Sequence, residues 1–118
     1  MARLDMYVNY ELKTSLRLVG TEVLLGREVD SGVRIPNPIV CRKHASIKLE
    51  AGERIIENLG VNGTKVNGKI VERPMVLKEG DAIFIADYIL VYHSEQDVER
   101  YIGDTTLNAP SARQQSLV

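Results

Sequence analysis

No apolar pattern in this chain runs for long before a turn-forming residue interrupts it. Leu4, Met6, Val8, Tyr10 and Leu12 alternate with Asp5, Tyr7, Asn9 and Glu11, a period of two that places the even-numbered side chains on the core face of one extended strand. A second strand is expected over Ser15 to Val19, and Gly20 turns it into Glu22 to Leu25. Later runs are as brief: Val33 with Ile35; Ala45, Ile47 and Leu49; Ile55-Ile56; Val66 to Ile70; Leu77; Ile83 with Ile85; Ile89 to Tyr92. Between them stand Gly32, Pro36, Pro38, Ala51-Gly52, Asn62-Gly63, Asn67-Gly68 and Gly80-Asp81, residues that tolerate or impose turns. Ten or so short strands at hairpin spacing, with no amphipathic helix between them, predict an all-β sandwich.

A chain of 118 residues is one domain with enough length to bury a core. The sandwich is assigned to residues 1–93. Residues 94–118 differ in character: Glu95 to Tyr101 could form one or two helical turns, and 103–118 are small and polar, as in a flexible tail. A net charge of −1 leaves no overall field to draw the protein onto nucleic acid or an anionic membrane, so neither is expected as a partner. Any anion site must be a local cluster of cations. No run approaches the roughly 20 apolar residues that span a bilayer. Asp5 and Asn9 interrupt the stretch where a signal peptide would be apolar. One cysteine cannot form an internal disulfide, which suits a reducing, cytoplasmic setting.

Three turn-rich segments carry the chemistry: Gly26-Arg27, then Cys41-Arg42-Lys43-His44, then Asn62-Gly63-Thr64. Brought to one end of a sandwich, they offer cations and loop N–H groups to a dianion, and charge-assisted hydrogen bonds are about twice as strong as neutral ones. Each segment alone has a plain explanation: a solvated arginine after a turn, a solvated loop, an Asn-Gly turn. His44 by itself suggests a ring pinning nearby backbone groups. Asn67-Gly68 is read as purely structural. Catalysis has little footing, since Cys41 and His44 lack a recognisable orienting third group. One cysteine and two histidines do not make a zinc site by spacing, and no phosphate-binding P-loop is present. No enzyme activity, metal or cofactor is expected.

In order and spacing, Gly26-Arg27, Val40-Cys41-Arg42-Lys43-His44-Ala45-Ser46-Ile47, Asn62-Gly63-Thr64-Lys65-Val66-Asn67-Gly68 and Leu77-Lys78-Glu79-Gly80-Asp81 closely resemble the forkhead-associated (FHA) domain. The resemblance covers about residues 4 to 93. It implies about eleven strands in two sheets and recognition of phosphothreonine in partner proteins. By that resemblance Arg27 grips the phosphate, Arg42 adds a second cationic contact, and Asn62 holds the peptide main chain. Gly26, His44, Gly63 and Thr64 match positions that shape the loops. Lys43 falls at a variable position, and its charge suggests a further phosphate contact.

Three departures from the family pattern bear on function. Cys41 stands where the family has a phosphate-binding serine, and a thiol is the weaker donor. Val61, before Asn62, offers no side-chain donor, and Gly60 replaces an upstream serine. Each lost bond to a charged group is worth about 1.5–3 kcal/mol, so the pocket is expected to be weakened, not abolished. The leading expectation is a phosphothreonine-peptide module linking Ser/Thr kinase signalling to a protein partner. The alternative is a phosphate-independent interaction or scaffolding domain on the same fold. Thr105 and Thr106 are possible phosphosites, which would make the chain's own tail a ligand for these loops.

Overall fold

The computed structural model describes residues 2–28 and 32–94; the expected turns at Glu95 to Tyr101, the polar tail and Thr105 and Thr106 lie outside the described residues. Among the described residues there are eleven strands and no helix. Six form one sheet: β1 (Arg3–Val8), β2 (Glu11–Arg17), β7 (Lys65–Val66), β8 (Lys69–Ile70), β10 (Ala82–Ile85) and β11 (Tyr88–His93), in the spatial order β2-β1-β11-β10-β7-β8. The other five are β3 (Glu22–Gly26), β4 (Val33–Arg34), β5 (Ala45–Glu50), β6 (Glu53–Asn58) and β9 (Met75–Val76), in the order β4-β3-β5-β6-β9. This is the expected all-β, two-sheet sandwich. No helix among the described residues is long and apolar enough to cross a membrane.

The alternation of apolar residues closes the two sheets on each other. Leu4, Met6, Val66, Ile83, Ile85 and Leu90 enter the core from the six-stranded sheet, and Val23, Leu25, Val33, Ile47 and Ile56 from the five-stranded one. Every pairing is antiparallel except that of β4 with β3, where Gly26 lies opposite Arg34.

The first strand corrects the sequence reading. The alternation from Leu4 to Leu12 is not one strand: it folds back at Asn9-Tyr10, both with positive φ (53° and 65°), the geometry of a tight two-residue hairpin. The register then slips between Met6 and Tyr7, so Met6 faces Thr14 while Tyr7 faces Leu12. The fold-back at Asn9-Tyr10 sets Leu12 opposite Tyr7 on the outer face of an edge strand, where Leu12 is 56% exposed, and Tyr10 at the turn is 90% exposed. The second strand accordingly runs Glu11–Arg17, not 15–19. The Ala51-Gly52 and Asn67-Gly68 hairpins form where their sequences place them, with positive φ at both residues of each pair.

Asn67 also bolts its hairpin down. Its amide donates to Asp81 Oδ1 at 2.9 Å and accepts from the Ala82 N–H at 3.0 Å, and Asp81 Oδ2 accepts from the Lys78 N–H at 2.8 Å.

At the end of the six-stranded sheet where β11 finishes, a polar cluster joins three elements. Asp5 accepts from Ser15 Oγ at 2.7 Å and Arg3 Nε at 3.1 Å, and its second oxygen lies 3.1 Å from His93 Nε2. His93 Nδ1 lies 2.6 Å from Glu79 Oε2. Burial pushes the Asp5 carboxyl up, but the Ser15 and Arg3 hydrogen bonds, with the charges of Arg3 and His93, together outweigh it. Asp5 therefore titrates below the ordinary aspartate range.

Candidate phosphate-binding loops

At the opposite end of the sandwich, the pairing of Leu25 with Ala45 and of Ala45 with Asn58 aligns three strand ends. The segment after β3, the connection 35–44 and the connection 59–64 therefore meet at one edge. Gly26 sits at the tightest point. A Cβ there would stand 2.0 Å from the Arg42 carbonyl oxygen, so only glycine lets the end of β3 lie against the Cys41-Arg42 backbone. The Arg27 N–H then donates to the Cys41 carbonyl at 3.1 Å, and Arg27 Nε donates to the Val40 carbonyl at 3.0 Å. With Nε fixed, the side chain has its two terminal nitrogens left to present, and it is exposed.

His44, fully buried, is the hub of the edge. Nδ1 accepts from the Cys41 N–H at 3.1 Å, and Nε2 lies 2.7 Å from the Gly63 carbonyl. A backbone N–H can only donate and a carbonyl only accept, so the ring is the neutral Nε2–H tautomer. The His44 N–H donates to the Leu25 carbonyl at 2.8 Å, and its own carbonyl accepts from Leu59 and Gly60 at 2.9 and 3.0 Å. One residue thus ties all three segments together.

The third segment is held from both sides. Asn62 Nδ2 donates to the Ile39 carbonyl at 2.6 Å, crossing to the neighbouring loop. Buried Thr64 donates through Oγ1 to Asn58 Oδ1 at 2.8 Å, and Asn58 Nδ2 donates to the Gly60 carbonyl at 2.9 Å. Gly63 takes φ of +79°, which suits glycine.

Arg42 and Lys43 are exposed on the middle loop beside half-buried Cys41, and neither makes an ion pair among the described residues. The Cys41 thiol lies against the backbone at position 60, where a Cβ would stand 2.8 Å from Sγ. Val61 is 94% exposed and makes no polar side-chain contact.

One cation escaped the sequence reading. Arg34 donates through Nε to the Arg27 carbonyl at 3.3 Å, because parallel pairing sets β4 beside the end of β3. Parallel pairing across a connection leaves no local signal, so nothing in the sequence around Arg34 marks it. Arg27, Arg34, Arg42 and Lys43 make this edge cationic although the chain as a whole is nearly neutral. Among the described residues there is no cluster of three or more His, Cys, Asp or Glu suited to a metal.

Part of human proliferation marker protein Ki-67 is 37% identical to this chain over 73 residues, which is 61% of this chain and 2% of that protein. The glycogen accumulation regulator GarA of Mycolicibacterium smegmatis is 38% identical over 68 residues, 57% of this chain and 42% of the regulator. The chain thus spans less than half the length of either relative. Among solved structures, that of Mycobacterium tuberculosis EmbR in complex with a low-affinity phosphopeptide matches with a TM-score of 0.72 at 23% identity, covering 79% of this chain and 24% of EmbR. The FHA-domain model itself matches residues 23–86, more than half of the chain and all three loop segments, and the protein therefore belongs to the FHA-domain family.

Proposed function

We propose that this chain is a phosphothreonine-peptide reader that performs no chemistry of its own and links Ser/Thr kinase signalling to a protein partner in the cytoplasm. The observation that carries the reading is Arg27, clamped by Nε to the Val40 carbonyl beside the exposed Arg42 and Lys43. FHA domains are phosphothreonine-binding modules, which supports it. In this reading the terminal nitrogens of Arg27 grip the phosphate, Arg42 and Lys43 add charge, and Arg34 backs them. Asn62, already held at Ile39, offers its remaining N–H and its carbonyl to the peptide main chain. Gly26, His44, Gly63 and Thr64 position these groups and touch no ligand. Cys41 and Val61 border the phosphate without supplying a strong donor, which weakens the pocket.

The test is binding to an oriented phosphothreonine peptide library beside its unphosphorylated twin, with wild type and Arg27→Ala. Phosphate-dependent binding lost in the variant is the expected result. Equal binding to both libraries refutes the reading and favours the phosphate-independent alternative, for which the exposed Ile39, Leu59 and Val61 would be the contact surface.

The chain's own tail is a candidate ligand on reach. Thr105 lies eleven residues beyond Ser94 (105 − 94), up to about 36 Å of extended chain. The β11 strand, which separates that exit from the loop end, has six residues and is about 20 Å long. Mass spectrometry finding no phosphate on Thr105 or Thr106 in the native cell would remove this ligand.

A further inference from the structure

The six-stranded sheet carries an unpartnered row on its outer face. Across the register, Leu12 pairs with Tyr7, Tyr7 with Ile89, Ile89 with Phe84, Phe84 with Lys65 and Lys65 with Ile70. Their strand neighbours Met6, Val66, Ile83, Ile85 and Leu90 fill the core, so this row faces outward. Leu12 is 56%, Ile70 59% and Phe84 36% exposed. Five intervals between strands of about 4.8 Å make the row about 24 Å long.

The row begins at the loop edge. Ile70, Phe84 and Lys65 line a groove of about 500 Å³ together with Asn62, Gly63 and Thr64. The residue assigned to the peptide main chain and the start of the apolar row are thus two walls of one depression. Lys65 is the single charged residue in row and groove, and no carboxylate lines the groove.

We propose that the row docks a stretch of the same phosphorylated partner, about seven extended residues long and lying beyond the segment gripped by the phosphate loops. This rests on the phosphopeptide reading above. Continuity with Asn62 fixes where the stretch enters, and the lone Lys65 fixes its chemistry: apolar side chains with an acidic residue among them. Recognition would then depend on a longer piece of the partner than the phosphothreonine and its immediate neighbours.

The test uses the short phosphothreonine peptide selected by the library, extended on one side or the other by about seven residues, the length of the row. One extension alternates valine and glutamate and the other alternates glycine and serine. On one side the valine-glutamate extension is expected to bind about tenfold more tightly than glycine-serine. Leu12→Thr with Ile89→Thr, both in the row and outside the groove, should abolish that gain and leave the unextended peptide's affinity unchanged, which also shows that the variant is folded. Lys65→Glu should reverse a preference for glutamate over lysine in the extension. Equal affinity of the two extensions on both sides, or a gain that survives the double variant, overturns the proposal and leaves the reader intact. If the unextended peptide binds regardless of its phosphate, the reader falls and this proposal with it.

Discussion

The thiol of Cys41 and the absent side chain of Gly60 occupy one volume. A Cβ at position 60 would stand 2.8 Å from Sγ and 3.1 Å from Cβ of Cys41, and 3.3 Å from the His44 Nδ1 that anchors the same loop. Two departures from the family pattern that look independent along the chain are therefore one packing solution. A larger atom at 41 fits because position 60 has no side chain.

Gly60→Ser should cost about 1–3 kcal/mol, the usual penalty for overpacking a filled site. The Cys41→Ser exchange made with it should recover a large part of that loss, because the smaller oxygen restores the space. Urea unfolding of both single variants and the double variant measures the coupling, and additive effects would mean the two positions do not share space. The same Cys41→Ser exchange is expected to tighten phosphothreonine peptides, the hydroxyl being the stronger donor.

Arg27→Ala should reduce phosphopeptide affinity about a hundredfold while lowering stability by less than about 1 kcal/mol, since the exposed side chain contributes a single hydrogen bond to the fold. Arg34→Ala should have a smaller effect of the same sign. Fluorescence anisotropy with a phosphopeptide, paired with urea midpoints, separates the two quantities.

For His44→Ala the balance is reversed. The Cys41 N–H and the Gly63 carbonyl lose their partners, at about 2–4 kcal/mol together, and the three segments come apart. Affinity should fall through the loops alone, since the ring is fully buried and both its nitrogens are taken by backbone partners. Thermal unfolding together with amide exchange at Cys41 and Leu59 would report the loosening.

Asp5 gives the acid limb of stability. Its folded value lies below the ordinary 3.8, so the native state binds this proton less readily than the unfolded chain does. The stabilisation is present above the ordinary aspartate range and is lost as pH falls through the lowered folded value. Urea midpoints followed downward from pH 6 should drop more steeply for wild type than for Asp5→Asn, and identical slopes would show that Asp5 is not the group responsible.

The loop motifs were legible because each is local. Gly26-Arg27, Cys41 to His44 and Asn62 to Thr64 are contiguous, and their order alone identified the family and the end of the sandwich where they meet. Turn chemistry was legible where glycine or asparagine announced it, at Ala51-Gly52 and Asn67-Gly68. It was not legible at Asn9-Tyr10, where a tyrosine takes positive φ and the alternation of apolar residues runs unbroken through the turn.

The sequence by itself determined the two-sheet architecture, through its period of two and its turn residues, and three of the four cations at the loop edge, Arg27, Arg42 and Lys43. Only the tertiary structure decided what depends on residues distant along the chain. Parallel pairing of β4 with β3 brings Arg34 to Arg27. The fold-back at Asn9-Tyr10 turns Leu12 outward. Packing sets Cys41 into the space left by Gly60. Periodicity and turns are properties of neighbouring residues and can be read in order, whereas register, strand partner and shared volume exist only once separate segments touch.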